Sequence, residues 1–136
     1  MIDNPELDFH ADRCLGHRRL ERFLARVEPQ CTISRQYYLD SNAAYREMTV
    51  RLKAEFPSLL VYDPVDTFCG PRDCPVMRDG HSLFSDNGHL SEYGSRLAGA
   101  HLLEWMAGQG IPISEQVRAY SALLLQKGQR QDTGHW

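Results

Sequence analysis

The sequence has no long hydrophobic run, since no segment approaches the roughly 20 apolar residues that a membrane-spanning helix needs. Its opening residues, Met1–Glu6, have neither the basic nor the apolar region of a signal peptide. It also has no internal repeat and no low-complexity tract, which argues against a repeat architecture. We therefore expect no membrane span and no targeting signal within these residues.

An excess of positive charge is also missing. The 15 basic and 18 acidic residues give a net charge of -3, which indicates neither a nucleic-acid partner nor an anionic membrane surface. Four arginines between positions 18 and 26 have helical spacing, and we interpret them as the solvated face of a short helix at 18–27. The length of 136 residues suits one soluble domain, which we assign to residues 1–126, with a frayed tail at 127–136.

Cysteine is scarce, with only Cys14, Cys31, Cys69 and Cys74. Four cysteines allow three disulfide pairings, and the short loop containing Gly-Pro between Cys69 and Cys74 favours the pairs 69–74 and 14–31. Such disulfides would indicate an oxidising compartment, the periplasm or the cell exterior. Free thiols are one alternative. A zinc site of Cys69, Cys74 and His81 is another, although the second close cysteine pair of a typical zinc site is missing.

The spacing of apolar residues predicts a mixed α/β protein. An amphipathic helix at 41–56 is indicated by apolar residues at helical intervals, and Pro57 ends it. The apolar run at 59–64 is too short for a helix and ends in Asp-Pro, which predicts a buried parallel strand. The other predicted elements are a loop at 64–80, an extended piece at 81–84, a helix at 91–107 and a last helix after Pro112.

The strand predicted at 59–64 has no predicted neighbour, and a single apolar strand cannot bury itself. Two explanations fit this pattern. Either the strand pairs with a second copy of the chain, or the chain is the C-terminal part of a larger α/β domain. In both cases an unpaired sheet edge gives a physical reason for self-association.

The candidate catalytic residues, Asp86 and His89, lie in the tetrapeptide Asp86-Asn87-Gly88-His89. An imidazole acts as a general base when a carboxylate holds one ring nitrogen and directs the other at a nucleophile. Asn and Gly tolerate left-handed backbone angles, so a turn through them can bring Asp86 and His89 to one side. Ser91 is a suitable N-cap for the following helix, which would hold this turn in place.

The other histidines are assigned no chemical role. His101 lies on the apolar face of the 91–107 helix and is interpreted as a core or boundary residue, while His81 is interpreted as an exposed loop residue. His10, Asp12 and His17 flank Cys14, but their spacing matches no common metal-ligand pattern. We therefore predict no metal and no cofactor. Gly94 is interpreted as a position of close packing between the helix and a strand.

Several motifs together resemble a known family. They are the Asp-x-x-His-Leu-Ser-x-x-Gly block at Asp86–Gly94, the apolar strand ending in Asp-Pro and the Phe-Cys-x₄-Cys loop at 68–74. This combination resembles the closing half of the SGNH hydrolase domain that is fused to membrane-bound acyltransferase-3 proteins. The opening segment Asn4–Cys14 also resembles the part after the middle of that domain, so the resemblance covers roughly residues 4–106.

The resemblance implies a flavodoxin-like three-layer α/β/α fold, of which this chain would be the C-terminal portion only. It implies transfer or hydrolysis of O-acyl groups, usually O-acetyl, on cell-surface polysaccharide. His89 would be the general base and Asp86 its orienting carboxylate. The implied partner is an upstream part of the same protein with a membrane acyltransferase domain, at the periplasmic face of the inner membrane.

The family's serine nucleophile lies in a Gly-Asp-Ser block near the start of the domain, and this sequence has no Gly-Asp-Ser. The family's oxyanion donors, which come from that serine's backbone and from a Gly and an Asn in later blocks, are not found here either. Losing one such donor alone costs about 3–4 kcal/mol of transition-state stabilisation. We therefore predict that the isolated chain is inactive. The alternatives are a non-catalytic, carbohydrate-associated remnant and a small metal-binding domain using Cys69 and Cys74.

Overall fold

The computed structural model describes residues 6–14 and 31–130. The helix predicted at 18–27 therefore lies outside the described residues. A short 3₁₀ helix at Ala11–Cys14 comes first. The other elements, in chain order, are β1 (Thr32–Ser34), α1 (Arg35–Ser41), α2 (Ala43–Glu55), α3 (Val65–Phe68), β2 (Asp73–Pro75), β3 (Met77–Arg78), β4 (His81–Ser82), α4 (Glu92–Gly108) and α5 (Glu115–Arg130).

The long helices agree with the sequence prediction. Helix α2 occupies most of the predicted 41–56 helix, and α4 matches the predicted 91–107 helix within one residue at each end. Helix α5 is the last predicted helix and continues to Arg130. Helix α1 was not predicted. It begins at an N-cap, Ser34, whose hydroxyl accepts a hydrogen bond from the backbone N–H of Tyr37.

The strands form two small antiparallel pairs. In the first pair, β1 and β2 align Ile33 opposite Cys74, and in the second, β3 and β4 align Arg78 opposite His81. The predicted loop at 64–80 therefore contains a helical turn and two strands. The structure is a mixture of helices and small sheets, consistent with an α/β protein.

The prediction of a parallel strand at 59–64 is wrong for this structure, because no residue in that segment is assigned to a strand. The backbone N–H groups of residues 60–63 make no hydrogen bond within the described part of the chain. A strand exists only when a neighbour supplies these bonds, and 6–14 and 31–130 contain no such neighbour. The end of the segment is held by Asp63, whose carboxylate forms a two-point ion pair with Arg46 of α2 at 2.6 and 3.0 Å.

Both disulfides of the favoured pairing are present. Cys14 is bonded to Cys31 with a Cα–Cα distance of 5.7 Å, and Cys69 is bonded to Cys74 with a Cα–Cα distance of 3.9 Å. The structure has no free cysteine, so the free-thiol alternative is wrong. The zinc alternative is wrong as well, because a sulfur in a disulfide is not the thiolate that binds zinc.

The core lies beneath the loop that carries Asp86 and His89. It joins the N-terminal segment, the β1–β2 pair, α3 and the residues that lead into this loop. Its most buried members are Leu7, Ala11, Ile33, Tyr38, Phe68, Cys74, Val76, Leu83 and Phe84. The loop that carries Asp86 and His89 is thus held on both sides by residues that pack in or against the core, Phe84 before it and Leu90 after it.

Helix α2 has an apolar face that nothing in the described structure covers. We call this surface, formed by Tyr45, Met48, Leu52 and Phe56, the α2 apolar face. Its four side chains are between 37% and 54% exposed, and α2 has no buried residue. Leu60, in the segment that follows α2, is 46% exposed. An apolar helix face of this kind is normally packed against another layer.

None of the helices in the described ranges is long and apolar enough to cross a lipid bilayer.

Candidate active site

Asp86 and His89 form a hydrogen-bonded pair within one tight turn. The Oδ1 atom of Asp86 accepts the backbone N–H groups of Gly88 and His89, each at 2.8 Å. The Oδ2 atom lies 2.8 Å from Nδ1 of the His89 imidazole. The carboxylate therefore shapes the turn through its backbone and also holds one nitrogen of the ring. This contact is the one that the Asp-x-x-His spacing indicated.

The two ends of the turn are joined by backbone hydrogen bonds. The N–H of Ser85 donates to the carbonyl of His89 at 2.9 Å, and Phe84 and Leu90 form an antiparallel bridge. Phe84 is buried, so the bridge connects the turn to the core. These bonds join the two ends of the six-residue loop from Ser85 to Leu90.

Helix α4 supports the turn from its C-terminal side. Ser91 is the N-cap, as predicted, and its hydroxyl accepts the N–H of Gly94 at 3.0 Å while donating to the carbonyl of Ser82 at 2.5 Å. The N–H of Ser91 also donates to the carbonyl of Leu83 at 3.0 Å. A Cβ atom at Gly94 would collide with that same carbonyl oxygen, which explains the glycine. Gly94 thus permits the close packing that the sequence indicated.

The turn stabilises the negative charge on Asp86. The N–H of Gly88, the N–H of His89 and the His89 imidazole, in that order of importance, lower the pKa of Asp86 from 3.8 to about 2. Asp86 is therefore ionised at any pH near neutrality. A carboxylate that stays ionised can hold a proton on Nδ1 of His89, and this leaves Nε2 as the basic nitrogen.

The Nε2 side of His89 is open. The His89 side chain is 83% exposed, and no group in the described part of the chain bonds to Nε2. The hydroxyl groups of the neighbouring serines form other hydrogen bonds. Ser85 donates to the His89 carbonyl, Ser91 caps α4 and Ser82 donates to the Phe84 carbonyl. Among the described residues no serine hydroxyl bonds to the imidazole. The structure thus brings together an imidazole and a carboxylate, with no serine bonded to them in the part of the chain that it describes.

The structure gives no reason to assign a chemical role to His10 or His101. His101 is half-buried on α4, in agreement with the core or boundary interpretation, and His10 is exposed. His17 lies outside the described residues, and the side chain of Asp12 is not described. In the described ranges, no group of three His, Cys, Asp or Glu side chains has an arrangement that could hold a metal ion.

The interpretation of His81 as an exposed loop residue is wrong. His81 lies in β4, is half-buried, and stacks on the ring of Tyr93 with 4.6 Å between ring centroids. The Tyr93 hydroxyl donates to Asp79 at 3.1 Å, and burial of the phenol raises the pKa of Tyr93. Asp79 has a positive φ of 50°, which residues of the β3–β4 hairpin require at its tip. The Asp79-Gly80 dipeptide is a sequence signal for the hairpin. The stacking of His81 on Tyr93 has no local signal, because it depends on contact between a hairpin and a helix.

A second contact that sequence analysis missed involves the N-terminal segment. The backbone N–H of Leu7 donates to the carbonyl of Asn87, the residue between Asp86 and Gly88, at 2.7 Å. Leu7 is only 3% exposed. The two residues are 80 positions apart in the sequence, so no local pattern could have indicated the contact.

Comparison with known proteins identifies a family. A family model for the SGNH domain, described as fused to AT3 domains, matches residues 1–104. No curated protein and no solved structure matches the chain significantly. The matched residues include both disulfides and the Asp86–His89 turn and end within α4, and the family's description indicates a hydrolase- or acyltransferase-like domain. The chain therefore belongs to the family of SGNH domains that are fused to AT3 domains.

Proposed function

We propose that this chain is the C-terminal part of an SGNH-type serine acyltransferase or esterase domain, in which His89 is the general base and Asp86 orients it. The observation that carries the proposal is the 2.8 Å contact between Asp86 Oδ2 and His89 Nδ1, with Nε2 left open. The proposed substrates are O-acyl groups, chiefly O-acetyl, on cell-surface polysaccharide. Membership in a family fused to AT3 domains supports this acyl-transfer chemistry.

The proposed mechanism uses His89 twice. Nε2 takes the proton of a serine hydroxyl as the serine oxygen attacks the acyl carbonyl, and the resulting imidazolium is stabilised by the ionised Asp86. The imidazolium then gives its proton to the departing sugar oxygen. The acyl group leaves the serine when an acceptor hydroxyl or water attacks. Nε2 takes the proton of the acceptor and gives it to the departing serine oxygen, which restores the serine hydroxyl.

The serine must be supplied by polypeptide outside these residues, since the sequence has no Gly-Asp-Ser. We propose that this polypeptide packs on the α2 apolar face and pairs with the backbone of residues 60–63. Two features support this placement. The apolar side chains of α2 are exposed, and the N–H groups of residues 60–63 have no hydrogen-bond partner among residues 6–14 and 31–130. A strand with apolar side chains would satisfy both at once.

We propose further that the domain works at the periplasmic face of the inner membrane, in the same protein as a membrane acyltransferase domain. The two disulfides support an oxidising compartment. The fusion to AT3 domains in the family description supports the link to an acyltransferase.

The test is ester hydrolysis by the full-length protein that contains this domain, with p-nitrophenyl acetate as substrate. We expect His89→Ala to lower kcat/KM by about a thousandfold or more, because the base that activates the serine is removed. His101→Gln is the matched control, because His101 is half-buried on α4, away from the dyad. Equal activity of wild type and His89→Ala would refute the catalytic assignment and favour the non-catalytic remnant.

A second measurement uses the 136-residue chain by itself. We expect no labelling by a fluorophosphonate probe, which reacts with activated serines, because the nucleophile block is missing. Labelling that disappears in His89→Ala would show that a serine within the chain serves as the nucleophile, and the proposal of an external serine would then fail.

A further inference from the structure

The peptide unit between Asn87 and Gly88 is bound on both of its sides. Its N–H, that of Gly88, donates to Asp86 Oδ1 at 2.8 Å. Its carbonyl, that of Asn87, accepts the N–H of Leu7 at 2.7 Å. Because a peptide unit is planar, the Leu7 contact fixes the direction in which the Gly88 N–H points.

The Leu7 contact opposes rotation of this peptide unit. Gly88 has no Cβ and adopts positive φ at little cost, so a rotation of the Asn87–Gly88 peptide exchanges one turn type for another. A Cβ at Gly88 would meet no atom within 4 Å in the described part of the chain. After such a rotation the Gly88 N–H would point away from Asp86, and the carboxylate would lose one of the bonds that hold it toward His89.

Leu7 itself is held by the segment that follows it. Leu7, Ala11 and Cys14 recur at helical spacing, are all buried and belong to the same core as Leu83 and Phe84. At its far end, the segment is attached by the disulfide between Cys14 and Cys31.

The disulfide leads back to the turn through a short series of backbone bonds. The carbonyl of Cys31 accepts the N–H of Val76, and the carbonyl of Val76 accepts the N–H of Leu83, each at 2.8 Å. The carbonyl of Leu83 accepts the N–H of Ser91, at the end of the turn. The turn is therefore enclosed in a ring of contacts that passes through Leu7 and the Cys14–Cys31 bond.

We propose that the segment Glu6–Cys14, tethered by the Cys14–Cys31 disulfide, is a positioning element for the Asp86–His89 dyad, with the backbone N–H of Leu7 as the group that acts on the turn. The effect of this segment on catalysis rests on the proposed function, whereas its effect on the conformation of the turn does not. Reduction of this disulfide loosens the far end of the segment and weakens the bond from Leu7 to Asn87, and with it the hold of Asp86 on His89. The Cys69–Cys74 disulfide closes a local loop of four intervening residues, and we expect no such effect from it.

The titration of the Asp86 carboxyl, followed by carbon NMR on the whole 136-residue chain, tests the proposal without requiring activity. The Gly88 N–H is the largest cause of the low pKa of Asp86, so the pKa reports the orientation of this peptide. We expect about 2 in the wild type and in Cys69→Ser/Cys74→Ser. In Cys14→Ser/Cys31→Ser we expect a pKa raised toward the ordinary value of 3.8. Unchanged titration in a folded Cys14→Ser/Cys31→Ser variant would overturn the proposal and leave the disulfide a merely stabilising role.

A second pair of variants decides the question if the disulfide variant does not fold. Leu7→Ala and Leu7→Pro both lose the buried side chain, but only Leu7→Pro loses the backbone N–H. We expect the pKa of Asp86 to rise in Leu7→Pro and to stay near 2 in Leu7→Ala. Identical titration of the two would overturn the proposal.

The full-length protein then separates this inference from the proposed function. In ester hydrolysis by that protein, we expect Leu7→Pro to lower kcat at least fivefold relative to Leu7→Ala, with KM unchanged. If the Asp86 titration responds as expected but His89→Ala has full activity, the positioning stands and the catalytic role fails. If His89→Ala is inactive but the titration does not respond, the catalytic role stands and the positioning fails.

Discussion

Replacement of Gly94 by alanine tests how closely helix α4 must approach the residues before the turn. In this structure a Cβ at Gly94 would collide with the carbonyl oxygen of Leu83 and lie 3.0 and 3.3 Å from two further backbone atoms of that residue. Backbone cannot move aside as the end of a flexible side chain can. Helix α4 would have to shift, and the 3.0 Å hydrogen bond from Ser91 to Leu83 would weaken.

The expected magnitude follows from two opposing effects. Overpacking against a rigid neighbour costs about 3 kcal/mol, the upper part of the usual range. Alanine has a higher helix propensity than glycine, which offsets up to about 1 kcal/mol. We therefore expect Gly94→Ala to lower the free energy of unfolding by about 2 kcal/mol.

Gly99→Ala is the matched control, because Gly99 lies in the same helix and a Cβ there would meet no atom within 4 Å. Here only the propensity acts, so we expect stabilisation by roughly 0.5–1 kcal/mol. Urea denaturation followed by circular dichroism measures both, and at roughly 3–5 °C per kcal/mol the two melting temperatures should differ clearly. A Gly94→Ala variant as stable as Gly99→Ala would refute the close approach of α4 to Leu83.

Two further predictions concern pH and association. The folded-state pKa of Asp86, about 2, is below its ordinary value of 3.8, so its stabilising contribution is present above pH 4 and is lost as the pH falls toward 2. Thermal melts between pH 6 and 2 should therefore show a smaller acid-induced loss of stability in Asp86→Asn than in the wild type, and equal losses would contradict this. The α2 apolar face should cause the isolated chain to self-associate. In sedimentation, the variant Leu52→Glu/Phe56→Glu should therefore form a smaller species than the wild type, whereas Glu47→Gln on the same helix should not. A monomeric wild type would contradict the prediction.

Much of the site could be predicted because its bonds are local. The Asp86–His89 contact, the Ser91 cap and the Cys69–Cys74 disulfide each join residues no more than five positions apart. The spacing of residue types is enough to indicate such contacts, since the intervening chain has few conformations. Helices α2 and α4 were predictable for the same reason, because helical hydrogen bonds and the apolar period lie within a few residues.

What could not be predicted depends on groups far apart in the sequence. The pairing of β1 with β2, the stacking of His81 on Tyr93 and the bond from Leu7 to Asn87 require particular placements of separate segments. The apolar run at 59–64 shows the limit most directly. Its composition indicated a strand, but a strand is defined by hydrogen bonds to a neighbour, and the described part of the chain provides none.

The amino-acid sequence by itself determined the contact between His89 and Asp86 and the helix cap beside it, because side chains and backbone groups a few residues apart suffice to form that unit. Only the tertiary structure decided how the unit is held. The Asn87 carbonyl meets Leu7, the Leu83 carbonyl meets Ser91 and excludes a side chain at Gly94, and Nε2 of His89 is left open. These features arise from the packing of distant segments, whose positions are set by the whole core and not by any local pattern.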